Sequence, residues 1–146
     1  MVRGRDEVTG VLLVGGASRR FGSPKALARF QGEVLAEQAM RAPIVGLVAA
    51  LRHAETDVCV VLPTDMPLVS ADLLRRLADE VEGFDAAVPQ SGPLPGAYRK
   101  SVLAALEQRL AAGELALYRA LEDLSVRVVE TDAEELRNVN TPADLA

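Results

Sequence analysis

Apolar residues fall along this chain in short dense runs, separated by stretches with helical spacing. The first run, GVLLV at Gly10–Val14, is branched and apolar on both faces. That pattern suits a central parallel strand; an edge strand would alternate. VCVVLP at 58–63 and DAAVP at 85–89 predict further buried strands, and VRVVET at 126–131 predicts another. SADLLRRLADEV at 70–81 predicts a helix, with Ser70 as N-cap, Asp72 in the first turn and Leu73, Leu74, Leu77 and Val81 as its apolar stripe. EVLAEQAM at 33–40 and IVGLVAALRHA at 44–54 also read as helices, the second entered through Pro43. RKSVLAALEQRLAAG at 99–113 reads as a helix stopped by Gly113, and LALYRALEDL as the next. Thr141 and Pro142 open a last one. Strands alternating with helices predict an α/β domain: a Rossmann-like, doubly wound, mostly parallel sheet with helices on both faces.

Two helical segments in succession across 33–57, with no strand between them, break this rhythm. A doubly wound half is built βαβαβ, so either this half is pared down or a segment that contains a strand is omitted between residues 40 and 41, the reading favoured here. QSGPLPG at 90–96 is an abrupt turn where a smaller omission is also expected.

The 146 residues amount to one domain with a proper core, and 49% of them are hydrophobic. The net charge of -5 argues against a nucleic-acid binder. It leaves room for a small anionic ligand held by a local basic cluster. Cys59, the only cysteine, forms no intramolecular disulfide and packs as a small apolar residue, which fits a cytoplasmic protein. No run approaches the roughly 18 apolar residues of a membrane helix. The single histidine, His53, sits at a helix end and suits a dipole partner better than a base.

In such sheets ligands bind beyond the carboxyl ends of the strands, near the switch point of strand order. After the first strand comes Gly15-Gly16-Ala17-Ser18-Arg19-Arg20-Phe21-Gly22-Ser23-Pro24-Lys25. Paired glycines let backbone N–H groups approach a ligand, Ser18 adds a donor, and Arg19, Arg20 and Lys25 add positive charge. It is neither a P-loop nor the dinucleotide fingerprint. By themselves these residues suit either a solvated surface loop or a mould for a triphosphate. After the second strand Asp65 stands between Pro63 and Pro67. It is either a turn aspartate or a carboxylate that holds Mg2+ against phosphates. Near the end, Asn138 and Asn140 in RNVNTPADL offer a further polar site.

Together these residues resemble one family. Leu13 to Lys25 resembles the Leu-x-Gly-Gly-x-Ser-x-Arg-Met-Gly-x-Asp-Lys motif of the GTA-like nucleotidyltransferases. LPTDMPLVSADLLRRL is similar to a metal-binding Asp-Met-Pro segment. RNVNTPADL is similar to a terminal Asn-Val-Asn-Thr-Pro motif. With LPGAYRKSVLAALEQRLAAGE, that last motif narrows the resemblance to the molybdenum cofactor guanylyltransferases, over nearly the whole chain. Phe21 and Pro24 depart from the commoner Met and Asp, and some dozens of family residues have no counterpart between Met40 and Arg41. In the family that this chain resembles, those residues carry a second strand and side chains that contact the nucleoside.

The resemblance implies transfer of GMP from GTP to the phosphate of molybdenum-bearing molybdopterin, with release of pyrophosphate. It places the nucleotide at Leu13, Val14, Gly15, Gly16, Ser18, Lys25 and Asp65, with Arg20 and Lys25 stabilising charge on the reacting phosphates. Asp65 would hold Mg2+, and Asn138 and Asn140 would face the pterin. Molybdoenzymes or other cofactor-biosynthesis proteins are the partners it implies. Two rivals are a cytidylyltransferase acting on the same or another phosphorylated substrate, and a non-catalytic GTP-binding cofactor carrier.

Overall fold

A computed structural model of the protein describes residues 8–14, 33–38 and 43–137. Six strands form one sheet: β1 (Val8–Val14), β2 (Glu33–Gln38), β3 (Val58–Pro63), β4 (Ala86–Pro89), β5 (Gly96–Arg99) and β6 (Val126–Val129). Their order is β2-β1-β3-β5-β4-β6. β1 pairs in parallel with β2 and β3, and β4 in parallel with β6; β5 runs antiparallel to both its neighbours. The carboxyl ends of five strands and the start of β5 therefore share one edge.

Four helices, α1 (Pro43–His53), α2 (Ala71–Glu80), α3 (Leu103–Ala111) and α4 (Leu117–Ala120), complete the described layers. Val11 and Leu13 of β1 and Cys59 and Val61 of β3 face a core shared with α1, α3 and α4. Val8, Leu12, Val60 and Leu62 point the other way, into a core with α2. Strict alternation along strands apolar on both sides is what places helices on both faces. Gly46 lets α1 lie close to β1, since a Cβ there would stand 2.8 Å from Leu13 Cδ2.

Helix α2 follows its sequence pattern closely. Ser70 Oγ accepts a hydrogen bond from the Leu73 N–H at 3.1 Å, and Leu73, Leu74 and Leu77 are buried. Gly113, at φ +79, ends the turn after α3.

The other boundaries differ from the pattern in instructive ways. Residues 33–38 form a strand where helical spacing predicts a helix, pairing with β1 from Thr9–Glu33 to Val14–Gln38. Leu, Ala, Glu and Gln are good helix formers, but an open side of a central strand offers a full ladder of hydrogen bonds, and tertiary context overrides propensity. The strand absent from the predicted rhythm before residue 57 is thus supplied by these residues. QSGPLPG closes as the turn between β4 and β5, with a cis Leu94–Pro95 peptide. The predicted start of a helix at Arg99 is instead the end of β5, and a 3-10 turn at Lys100–Val102 precedes α3. Helix α4 is a single turn that passes into 3-10 geometry at Leu121–Asp123. The helix expected after Thr141 lies outside the described residues.

Candidate active site

The order β2-β1-β3 puts the switch point at β1. From β1 the chain passes to β2 on one side, and it reaches β3 on the other. The crevice beyond the paired ends of β1 and β3 is where a doubly wound sheet takes its ligand. In register, Leu13 lies beside Pro63, and the Thr64 N–H donates to the Leu13 carbonyl at 3.1 Å, extending the seam one residue past β3. β1 ends at Val14, immediately before Gly15 and Gly16; β3 leads through Thr64 to Asp65.

The Asp65 carboxyl is half-buried, and loss of water raises its pKa above the ordinary value of 3.8, partly offset by a hydrogen bond from its own backbone N–H. No cation among the described residues forms an ion pair with it. Thr64 is only 3% exposed, and its Oγ1 has no hydrogen-bond partner among the described residues. The half-buried Asp65 carboxylate is a hard oxygen donor of the kind that magnesium takes together with phosphate oxygens and water. No cluster of three or more His, Cys, Asp or Glu that could hold a metal occurs among the described residues.

The neighbouring strands end in turns at the same edge of the sheet. Gly96 opposes Val61 in the β3–β5 ladder, so the turn leading into β5 runs beside the end of β3. Tyr98 is fully buried and its hydroxyl donates to the Pro93 carbonyl, tying that turn to the core. Burial pushes the Tyr98 pKa upward, so the phenol remains a donor. The Gln90 side chain accepts from the Thr131 N–H at 2.9 Å and donates to the Thr131 carbonyl at 2.6 Å, joining the exits of β4 and β6. Glu135 Oε1 accepts from the Ser70 N–H at 2.9 Å. That contact anchors the turn at Ala133–Leu136 to the start of α2, and so to the loop that carries Asp65.

The first-strand motif and the Asp-Met-Pro segment are therefore brought to one crevice at their described ends. The Leu13 side chain is buried in the core against Gly46, so this residue serves the seam through its carbonyl. Val14 closes β1. Gly15, Gly16, Ser18, Arg20, Lys25, Asn138 and Asn140 lie outside the described residues. Thr64, Gln90, Tyr98 and Glu135 were not singled out by sequence pattern. Only Tyr98 carried a signal: a tyrosine within an apolar stretch needs a partner for its hydroxyl.

The MobA-like NTP transferase domain matches residues 10–42 and 36–128. The chain belongs to this family. A relative from Pelotomaculum thermopropionicum, named a probable molybdenum cofactor guanylyltransferase, is 32% identical, with 95% of this chain and 90% of the relative covered. The alignment runs over 187 positions, more than the whole of this 146-residue chain, so the relative carries residues with no counterpart here. A solved structure of molybdopterin-guanine dinucleotide biosynthesis protein A from Archaeoglobus fulgidus shares 26% identity at a TM-score of 0.68, covering 94% of each chain. The 2-C-methyl-D-erythritol 4-phosphate cytidylyltransferase of Thermus thermophilus shares the fold, at 20% identity, a TM-score of 0.64 and 95% coverage of each chain. As a MobA-like NTP transferase, the chain carries its candidate site at the β1–β3 crevice.

Proposed function

We propose that this protein transfers GMP from GTP to the phosphate of a molybdenum-bearing molybdopterin, releasing pyrophosphate. The observation that carries this reading is the placement of Asp65 beyond β3, beside the end of β1 that leads into Gly15 and Gly16. The names of the relatives supply the substrate class. Attack of one phosphate on another must overcome repulsion between anions, so catalysis is positioning and charge neutralisation.

In this mechanism the Gly15 and Gly16 N–H groups hold the nucleotide phosphates. Arg20 and Lys25 offset charge that builds on the α-phosphate and on the leaving pyrophosphate, and Ser18 shapes the loop. Asp65 would hold Mg2+, which when bound neutralises phosphate oxygens. Asn138 and Asn140 face the pterin. No side-chain nucleophile is required, which leaves buried Cys59 and helix-end His53 structural. Among the described residues no helix is long and apolar enough to cross a membrane. Cytoplasmic work beside molybdoenzymes or other cofactor-biosynthesis proteins belongs to the same reading.

Pyrophosphate release, measured with GTP, CTP or ATP, Mg2+ and molybdopterin-type acceptor, tests it. Release with GTP that needs both acceptor and Mg2+ is expected. Release with CTP would move the protein to the cytidylyl branch. GTP binding without turnover would favour a cofactor carrier. That last outcome has one observation on its side: the aligned positions of the relatives that have no counterpart here.

A further inference from the structure

A side chain joins the chain beyond β6 to the chain beyond β3. Glu135, in the 3-10 turn Ala133–Leu136, accepts the Ser70 N–H at 2.9 Å through Oε1. Ser70 caps α2 and stands five residues after Asp65. Glu135 stands three residues before Asn138 and five before Asn140. The bond thus ties the segment assigned above to the acceptor to the segment assigned to nucleotide and metal.

The two ends of that bond are held unequally. On the Ser70 side the chain is fixed without Glu135. The Thr64 N–H bonds the Leu13 carbonyl, Met66 and Val69 are buried in the core with α2, and Ser70 Oγ receives the Leu73 N–H. On the Glu135 side, Asp132, Ala133, Glu134 and Arg137 are exposed. The turn's own backbone bonds are local, from the Glu135 N–H to Asp132 and from the Arg137 N–H to Glu134. Leu136 anchors it in the core, and Gln90 holds Thr131 ahead of it. A buried apolar side chain fixes depth, whereas a charge-assisted hydrogen bond adds direction. Loss of the Glu135 bond therefore loosens the turn and leaves the Asp65 loop in place. Three residues of chain reach at most about 11 Å, so the direction in which the turn delivers Arg137 limits where Asn138 can stand.

We propose that Glu135 is a positioning residue for the acceptor substrate: its bond to the Ser70 N–H sets the course of the chain into Asn138 and Asn140, and so holds those amides against the pterin. The inference rests on the guanylyltransferase reading above and adds the residue that joins its two halves. Misplacing a positioning group by about 1 Å costs up to about 10² in rate, whereas a mere helix cap costs stability alone.

The test compares the full chain with Glu135→Ala, Glu135→Gln and the double variant Asn138→Ala/Asn140→Ala. Pyrophosphate release with GTP, Mg2+ and molybdenum-bearing molybdopterin gives KM for the acceptor. Calorimetry gives the affinities for GTP with Mg2+ and, separately, for the acceptor. E135A is expected to raise the acceptor KM about tenfold or more and to bind GTP as wild type does. E135Q, whose amide oxygen still accepts the Ser70 N–H, is expected to keep KM near the wild-type value. In the Asn138→Ala/Asn140→Ala background, E135A is expected to weaken acceptor binding no further, because residues that act through one another are not additive. A wild-type KM in E135A, with nothing but a lower melting temperature, makes Glu135 a structural cap and overturns the proposal. A fully additive loss in the asparagine background, or an equal rise of KM in E135Q, also overturns it. Should E135A not fold, Glu135→Asp withdraws the carboxylate by one methylene and is expected to raise KM in the same way; a wild-type KM there overturns the proposal. Wild-type acceptor affinity in the double asparagine variant removes the acceptor role of those residues and the proposal with it. A wild-type protein that releases no pyrophosphate from GTP removes the guanylyltransferase reading itself, and the proposal falls with that reading.

Discussion

Two exits at the same edge of the sheet are built in opposite ways. Beyond β3, Thr64 and Asp65 keep polar atoms desolvated and without a partner cation or hydroxyl acceptor among the described residues. Beyond β4 and β6, Gln90 satisfies both backbone groups of Thr131, and Tyr98 answers the Pro93 carbonyl. The first exit is arranged for something that is not protein. The second is arranged to hold itself, and so to serve as a fixed wall. Substitutions in the first should therefore change function and relieve the fold; those in the second should weaken the fold and spare nucleotide binding.

The largest effect is expected at Asp65. Asp65→Asn should lower turnover by about 10² or more, the scale seen when a preorganised charge-stabilising group is removed. It should also raise stability at neutral pH. The folded carboxyl keeps its proton to higher pH than the unfolded one, so the unfolded state loses protons first as pH rises. Wild-type stability therefore falls as pH climbs from 3.8 through the raised folded value, and stays lowered above it. Asn has no such cost. Melting curves of the two proteins across pH should diverge above that window and converge below 3.8. Near-normal turnover in the variant would remove Asp65 from the metal role.

Much of this contrast was legible beforehand, for local reasons. Strands β1 and β3 announce themselves through apolar runs, and Ser70 marks the start of α2 through a cap that spans three residues. Asp65 stands out because two prolines confine it just past a strand. The misread elements are those decided by distant partners. Residues 33–38 have a helical composition and become a strand because β1 has an open side. Four-residue β5 hides at the edge of a helical pattern. The bonds that set the wall join residues far apart in sequence: Gln90 with Thr131, 41 positions on, and Ser70 with Glu135, 65 positions on. In a capping box the N-cap N–H would be met by an acidic residue three positions later, but Leu73 stands there, and Glu135 takes its place. Nothing periodic in the chain encodes such a choice.

Next in size is Gly96→Ala. A Cβ there would lie 2.6 Å from the Pro93 carbonyl oxygen and 2.7 Å from the Tyr98 ring. Neither can retreat, because they are bonded to each other. The cost should be about 1–3 kcal/mol, read as a lower urea midpoint. Tyr98→Phe should cost about 1 kcal/mol, since the ring stays and only the donor to Pro93 is lost. In both, GTP affinity should hold at the wild-type value. A loss of turnover equal to that of Asp65→Asn would erase the distinction between the two exits.

The smallest effect, at Gln90, sharpens the comparison most. Gln90 and Thr131 both carry hydrogen bonds that look as strong as any at this edge, yet Gln90 is exposed. Water can replace both bonds when the side chain is shortened, so Gln90→Ala should cost only about 0.5–1 kcal/mol in urea unfolding. Tyr98 makes one bond where Gln90 makes two. If the number of bonds governed the wall, Gln90→Ala would be the more damaging change. If burial governs it, Tyr98→Phe is, because Tyr98 is fully buried while Gln90 is exposed, so water replaces the lost bond less readily there. Measured side by side, the two midpoints rank the causes. The order expected is Tyr98→Phe below Gln90→Ala, with GTP binding unmoved in both. The same rule of burial sets the cost of the orphaned Thr64 hydroxyl, so a reversed order would weaken both halves of the contrast at once.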